Sequence, residues 1–131
     1  MNSKMPDSTY IPGTCNIGEN EIRRRKLVAL VGLALTLVSL FSMIKVGAPR
    51  ISRFGIFIPL FITAVGYVQS RSKFCLAYGF AGTFNFGKLG QLSRVSDSAS
   101  KAADRTTALL ILTRSFLLAS VATALVVVLP F

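Results

Sequence analysis

The chain has 131 residues, enough for one domain, of which 52% are hydrophobic and 15% charged, with a mean hydropathy of +0.60. That much apolar surface does not fit inside a single soluble core of this size. The net charge of +10, from 15 Lys and Arg against 5 Asp and Glu, would mark a nucleic-acid binder in a soluble chain. Here the basic residues flank long uncharged runs, so they read as topology signals in a membrane and argue against nucleic acid as a partner.

Residues 1–26 are polar and contain Pro6, Pro12, Gly13 and Gly18, which reads as a flexible, basic cytoplasmic tail. It ends in Arg23, Arg24, Arg25 and Lys26, a cluster suited to anionic lipid headgroups. The membrane domain then covers 27–131. Leu27 to Ile44 carries no charge, and with Lys45 snorkelling the run extends to Ala48, so span one is about 27–48. Val46-Gly47-Ala48 imitates a signal-peptidase site, but the long n-region, the long apolar run and Pro49 after the cut argue against cleavage.

Gly47 and Pro49 suit a tight turn into span two, 54–70, which contains Pro59 and ends against Arg71 and Lys73. A proline inside the span predicts a local kink. Residues 74–87 are aromatic but too short to cross, with Phe74, Tyr78, Phe80, Phe84 and Phe86 among several glycines. They read either as an interfacial or re-entrant segment, or as a continuation of span two past Arg71. Lys88 to Ser100 is a polar loop, and Ser96-Asp97-Ser98 offers N-cap oxygens for a helix running to Leu129. Its apolar part, 108–129, is span three. The fold class is therefore all-α: an integral membrane protein of three transmembrane helices with an aromatic interfacial segment.

Basic residues set the orientation. The tail and the segment between spans two and three hold eleven, whereas the opposite side holds only Lys45, Arg50 and Arg53. The positive-inside rule predicts a cytoplasmic N-terminus and an outside C-terminus, in a multi-pass protein of the cell membrane. Cys15 and Cys75 then share the reducing side. The simpler reading is two independent reduced thiols, and the sharper one is a thiol pair brought together when the tail reaches the interface.

Arg114 lies inside span three, six residues into the apolar run. At about 1.5 Å per residue this places it about 9 Å deep, within reach of a snorkelling side chain. The alternative pairs it with Tyr67, Gln69 or Asn85, or with a bound anion. Ser115, Ala119 and Thr123 recur every four residues, as do Gly55, Pro59 and Thr63, a spacing that lets helices pack closely or oligomerise. There is no histidine, and all five acids fall outside the apolar spans. No carboxylate pair, nucleophile triad or metal-ligand cluster is visible, so the expectation is a protein that is not an enzyme and has no cofactor.

Cys15-Asn16-Ile17-Gly18 followed by Glu21-Ile22-Arg23-Arg24, with Phe74-Cys75 and Phe84-Asn85-Phe86-Gly87 downstream, resembles small bacterial multi-pass membrane proteins of uncharacterised activity. The resemblance implies a bacterial inner-membrane protein and assigns no activity to any residue. Cys15, Cys75, Arg114 and Asn85 are the candidate functional residues. Two functions are expected from these features. One is a non-catalytic protein that binds or scaffolds another membrane component. The other is a small transporter or channel working as a homo-oligomer.

Overall fold

The computed structural model describes residues 10–131. The first nine residues of the expected tail lie outside the described residues. Three helices are long and apolar enough to cross a bilayer, and the only sheet among the described residues has two short strands. The chain is a multi-pass membrane protein of the all-α class.

Helix α1, Glu19–Val46, begins well before the expected start of span one. At about 1.5 Å per residue its 28 residues span about 42 Å, more than the roughly 30 Å of hydrocarbon, so its charged first turns stand outside the apolar run. Gly47 ends it in the left-handed region at φ 64°, where its N–H donates to Ile44 O and that of Ala48 to Met43 O.

Span two is a composite rod. Helix α2, Arg50–Arg53, passes through a 3₁₀ turn, Phe54–Ile56, into α3, Phe57–Ser72. Pro59 sits in the first turn of α3, where an α-helix has spare N–H groups. The hydrogen bond that proline lacks would have reached Gly55, which lies in the 3₁₀ turn. The expected local irregularity is that turn.

Lys73, a non-glycine residue at φ 54°, ends α3, so span two does not continue as a helix through 74–87. The chain reverses instead into α4, Leu76–Ala81, and β1, Thr83–Phe84, which pairs antiparallel with β2, Ser93–Arg94. Helix α5, Ser98–Val128, starts where the sequence predicts: Asp97 is the N-cap, and its Oδ2 accepts from the Ser100 backbone at 3.1 Å and hydroxyl at 2.8 Å.

The rod of α3 packs against both α1 and α5, and α4 lies against α5. Small residues set the α1–α3 spacing. A Cβ on Gly66 would stand 2.6 Å from Ala29 N, and one on Gly32 would stand 2.7 Å from Thr63 N. On α5 the row Ala108, Ile111, Ser115, Ala119 and Thr123 turns inward, so the four-residue repeat serves packing within the chain. Gly55 meets nothing within 4 Å. Outward faces carry leucines, valines and phenylalanines, as lipid contact requires. Val68, Phe74, Ala108 and Ile111 form a compact apolar cluster at the basic end.

Candidate functional site

The basic end of the bundle is closed by a folded cap. Residues 10–18, expected to be part of a flexible tail, pack onto α3, α4 and α5. Their polar groups find partners far along the chain, so the segment is ordered by non-local hydrogen bonds rather than by local propensity. Asn16 N–H donates to Lys73 O at 3.2 Å, Asn85 N–H to Asn16 O at 2.9 Å, and Gly18 N–H to Asn85 O at 2.8 Å. The left-handed turn at Lys73 presents that first carbonyl. A Cβ on Gly18 would fall 2.8 Å from the Phe86 backbone, so only glycine allows this approach. The Cys-Asn-Ile-Gly and Phe-Asn-Phe-Gly stretches thus meet as a short parallel bridge between Ile17 and Asn85.

Beneath the bridge lies a closed polar circuit centred on Glu21, which is fully buried. Arg25 Nη1 donates to Glu21 Oε1 at 2.7 Å, and both Tyr78 Oη, at 2.6 Å, and Asn85 Nδ2, at 3.1 Å, donate to Oε2. Arg25 Nη2 donates to Cys75 Sγ at 2.9 Å, and the guanidinium stands 5.6 Å over the Tyr78 ring. Asn16 holds both backbone groups of Cys75, accepting from its N–H at 2.7 Å and donating to its carbonyl at 3.2 Å. Burial pushes the Tyr78 phenol above its ordinary value, and its hydrogen bond to the Glu21 carboxylate adds to the rise.

A second buried acid anchors the arm to α5. Asp104 accepts from Tyr10 Oη at 2.5 Å and from Gly13 N–H at 2.7 Å, while Thr107 Oγ1 donates to Gly13 O at 2.6 Å. The Tyr10 ring stacks on Phe84 with centroids 4.5 Å apart. Burial, followed by the bond to Asp104, raises the Tyr10 phenol as well.

The candidate residues fare differently. Asn85 and Cys75 belong to the circuit. Cys15 lies at the edge of the cap, half-buried, where its thiol donates weakly to Ile17 O at 3.8 Å and burial pushes its pKa up. Both cysteines are free thiols, and they face different partners. Arg114 is exposed and makes no hydrogen bond to Tyr67, Gln69 or Asn85. Asn85 is bound by Glu21, and Gln69 Oε1 accepts the Leu76 N–H at 2.9 Å. Of the basic cluster, Arg25 turns inward, with its side chain only 12% exposed, and leaves Arg23, Arg24 and Lys26 outside.

From the sequence alone, Tyr78, Tyr10, Asp104 and Arg53 have no role in a site, Asn16 and Glu21 figure only within motifs, and Arg25 is assigned to lipid headgroups, whereas its side chain pairs with Glu21. Arg53 lies at the opposite end and is 3% exposed. Its guanidinium donates to Ala48 O at 3.1 Å, Val126 O at 3.3 Å, Val127 O at 3.3 Å, Leu129 O at 2.7 Å and Phe131 O, and it lies 3.8 Å from the Phe131 ring centroid. All but Ala48 O lie at the C-terminal end of α5 or just beyond it, where carbonyls lack helical partners and a cation also suits the helix dipole. The one available signal was spacing: Glu21 and Arg25 stand four apart on a helix, the favoured order for an ion pair.

Among the described residues, no three His, Cys, Asp or Glu side chains gather to hold a metal. The circuit's donors and acceptors engage one another, an arrangement suited to holding a shape. No family model, curated protein or solved structure matches this chain.

Proposed function

We propose that this is a non-catalytic protein of the bacterial inner membrane, with its N-terminus in the cytoplasm, that binds or scaffolds another membrane component through its capped basic end. The observation that carries the reading is the Glu21 circuit. It fixes the arm, α4 and the β1–β2 hairpin as one rigid platform on the helix ends. Arg24, Lys26, Arg71, Lys73 and Lys88 stand exposed around that platform, giving it a basic rim. Basic residues beside spans favour the cytoplasmic face, which supports an outside C-terminus and a platform at the level of anionic headgroups, within reach of cytoplasmic partners. The resemblance of the two Asn-containing stretches to bacterial proteins supports the choice of membrane.

Transport through an oligomer is the competing function. It needs a polar path, and Thr36, Thr63 and Thr123 instead donate to carbonyls of their own helices. Purification of the full chain in mild detergent, with mass-spectrometric identification of stoichiometric companions, tests the proposal. A defined membrane-protein companion lost on Arg24→Gln/Lys73→Gln substitution supports it. A homo-oligomer that carries flux in liposomes overturns it.

A further inference from the structure

A cavity of about 410 Å³ opens along the seam of α1 and α3, lined by Lys26, Ala29, Leu30, Leu33, Tyr67 and Arg71 among others. The two antiparallel backbones press together at two glycines, Gly66 against Arg25 and Ala29, and Gly32 against Thr63. Lys26 sits on the α1 turn between Arg25 and Ala29, and Arg71 lies five residues past Gly66, about 7.5 Å along α3 at about 1.5 Å rise per residue. Both cations therefore line the basic end of the cavity. Neither has a carboxylate partner among the described residues, whose ion pairs are Arg23–Glu19 and Arg25–Glu21. Leu30, Leu33 and Tyr67 are exposed, so the cavity opens sideways toward lipid rather than into the bundle.

The geometry points to a binding site for one anionic glycerophospholipid in this seam, with its phosphate between Lys26 and Arg71 and an acyl chain along Leu30 and Leu33. Two cations at one end and apolar walls running about 10 Å away from them match a headgroup and the first carbons of a chain. Inorganic phosphate would fill only the mouth. A zwitterionic lipid would leave the pair of cations without a net countercharge. The inference rests on the basic end being at headgroup depth, as in the proposed orientation, and is independent of any protein companion.

Native mass spectrometry of the purified full chain, with phosphatidylglycerol and phosphatidylcholine of identical acyl chains, tests the site. Retention of one phosphatidylglycerol should exceed that of phosphatidylcholine by about tenfold, the scale expected for one to two headgroup-level cations. Lys26→Gln/Arg71→Gln should abolish the preference, whereas Arg94→Gln/Arg105→Gln, the same charge change away from the seam, should keep it. Leu33→Trp, at an exposed position, should fill the groove and reduce retention with both charges intact. Circular dichroism checks that each variant folds. Equal loss in both double variants would reveal diffuse surface charge and overturn the site. Competition by glycerol 3-phosphate, or full retention in Leu33→Trp, would make it an anion site without chain recognition and overturn the lipid. Companion co-purification is read separately, so failure here leaves the docking proposal standing.

Discussion

Asn16 brackets Cys75. One side-chain amide satisfies the N–H of Cys75 at 2.7 Å and its carbonyl at 3.2 Å, across 59 residues of sequence. Both groups are buried, so they have no water to fall back on; without Asn16 the carbonyl keeps the Gly79 N–H at 2.9 Å, and the Cys75 N–H loses its acceptor. Asn16→Ala should destabilise the protein by about 1–3 kcal/mol, the cost of one buried polar group left unpaired. Thermal unfolding in detergent will measure it, and Asn16→Asp should recover only part of the loss, because the acceptor it restores brings a buried charge. A melting temperature unchanged in Asn16→Ala would refute the bracket.

Glu21 and Arg25 form a buried ion pair whose members have other partners, so the coupling between them is measurable. Glu21→Leu removes the carboxylate from the Arg25 guanidinium, leaves the Tyr78 hydroxyl without its acceptor and the Asn85 amide with only Lys88 O, and should cost about 3 kcal/mol. Glu21→Leu/Arg25→Met removes both charges and should cost less than the sum of the single changes. A double-mutant cycle should give a coupling of at least about 1 kcal/mol. Strict additivity would mean that the pair does not act as a unit.

Two half-buried phenols donate to carboxylates, Tyr10 to Asp104 and Tyr78 to Glu21, and both are raised above their ordinary value of about 10 by burial and by those bonds. An acid whose pKa is raised on folding contributes stability that is complete below the unfolded value and lost as pH climbs toward the folded one. The cap should therefore hold its stability through neutral pH and loosen progressively above about pH 10. Melting curves from pH 7 upward will follow this. Tyr10→Phe/Tyr78→Phe should be weaker at neutral pH and show a flatter alkaline decline.

Two arginines near membrane-spanning helices should behave in opposite ways. Arg53→Lys loses the planar fork that reaches carbonyls from Val126 to Phe131 and should cost about 2–3 kcal/mol, at about 1 kcal/mol or more for each charge-assisted bond lost. Arg114→Lys should be nearly silent, since that side chain is exposed and snorkelling needs only a long cationic stem. Comparing the two melting temperatures in one detergent settles the contrast. Destabilisation by Arg114→Lys equal to that of Arg53→Lys would contradict the assignment.

Orientation has its own readout. Alkaline phosphatase fused after Phe131 should be active, because the proposed topology exports it, and a fusion near Gln91 should be inactive. The reversed pattern at both sites would invert the platform and place it outside the reducing compartment.

The spans were legible because a bilayer selects composition as well as pattern: an uncharged run bounded by Arg and Lys admits few alternatives. The start of α5 was legible for a local reason, the Asp97 cap. The cap was not. Residues 10–18 have the composition of a loose tail, with Pro12, Gly13 and Gly18, and what orders them comes from residues 73–107, far along the chain. Glu21 and Asp104 read as surface acids because their partners, Tyr78, Asn85, Tyr10 and Gly13, are non-local. Arg53 read as a loop charge because the carbonyls it binds belong to the far end of α5. In each case local chemistry was visible and the contact was not. For Arg114 the depth in the apolar run suggested a snorkelling position, and its side chain lies on the exposed face of α5.

The wiring of the cap also dictates an order of events during synthesis. Glu21 and Arg25 leave the ribosome with the first helix, but Tyr78 and Asn85 follow more than fifty residues later, and Asp104 later still. Until those arrive, the arm has no seat and the Glu21 carboxylate lacks two of its three side-chain donors. A nascent chain stalled after the second span therefore leaves residues 10–18 without most of their partners, whereas in the finished chain Asn16 and Ile17 are buried. The arm can latch fully only once Asp104 and Thr107 of the last helix are made, so its seating follows the third span in the order of synthesis.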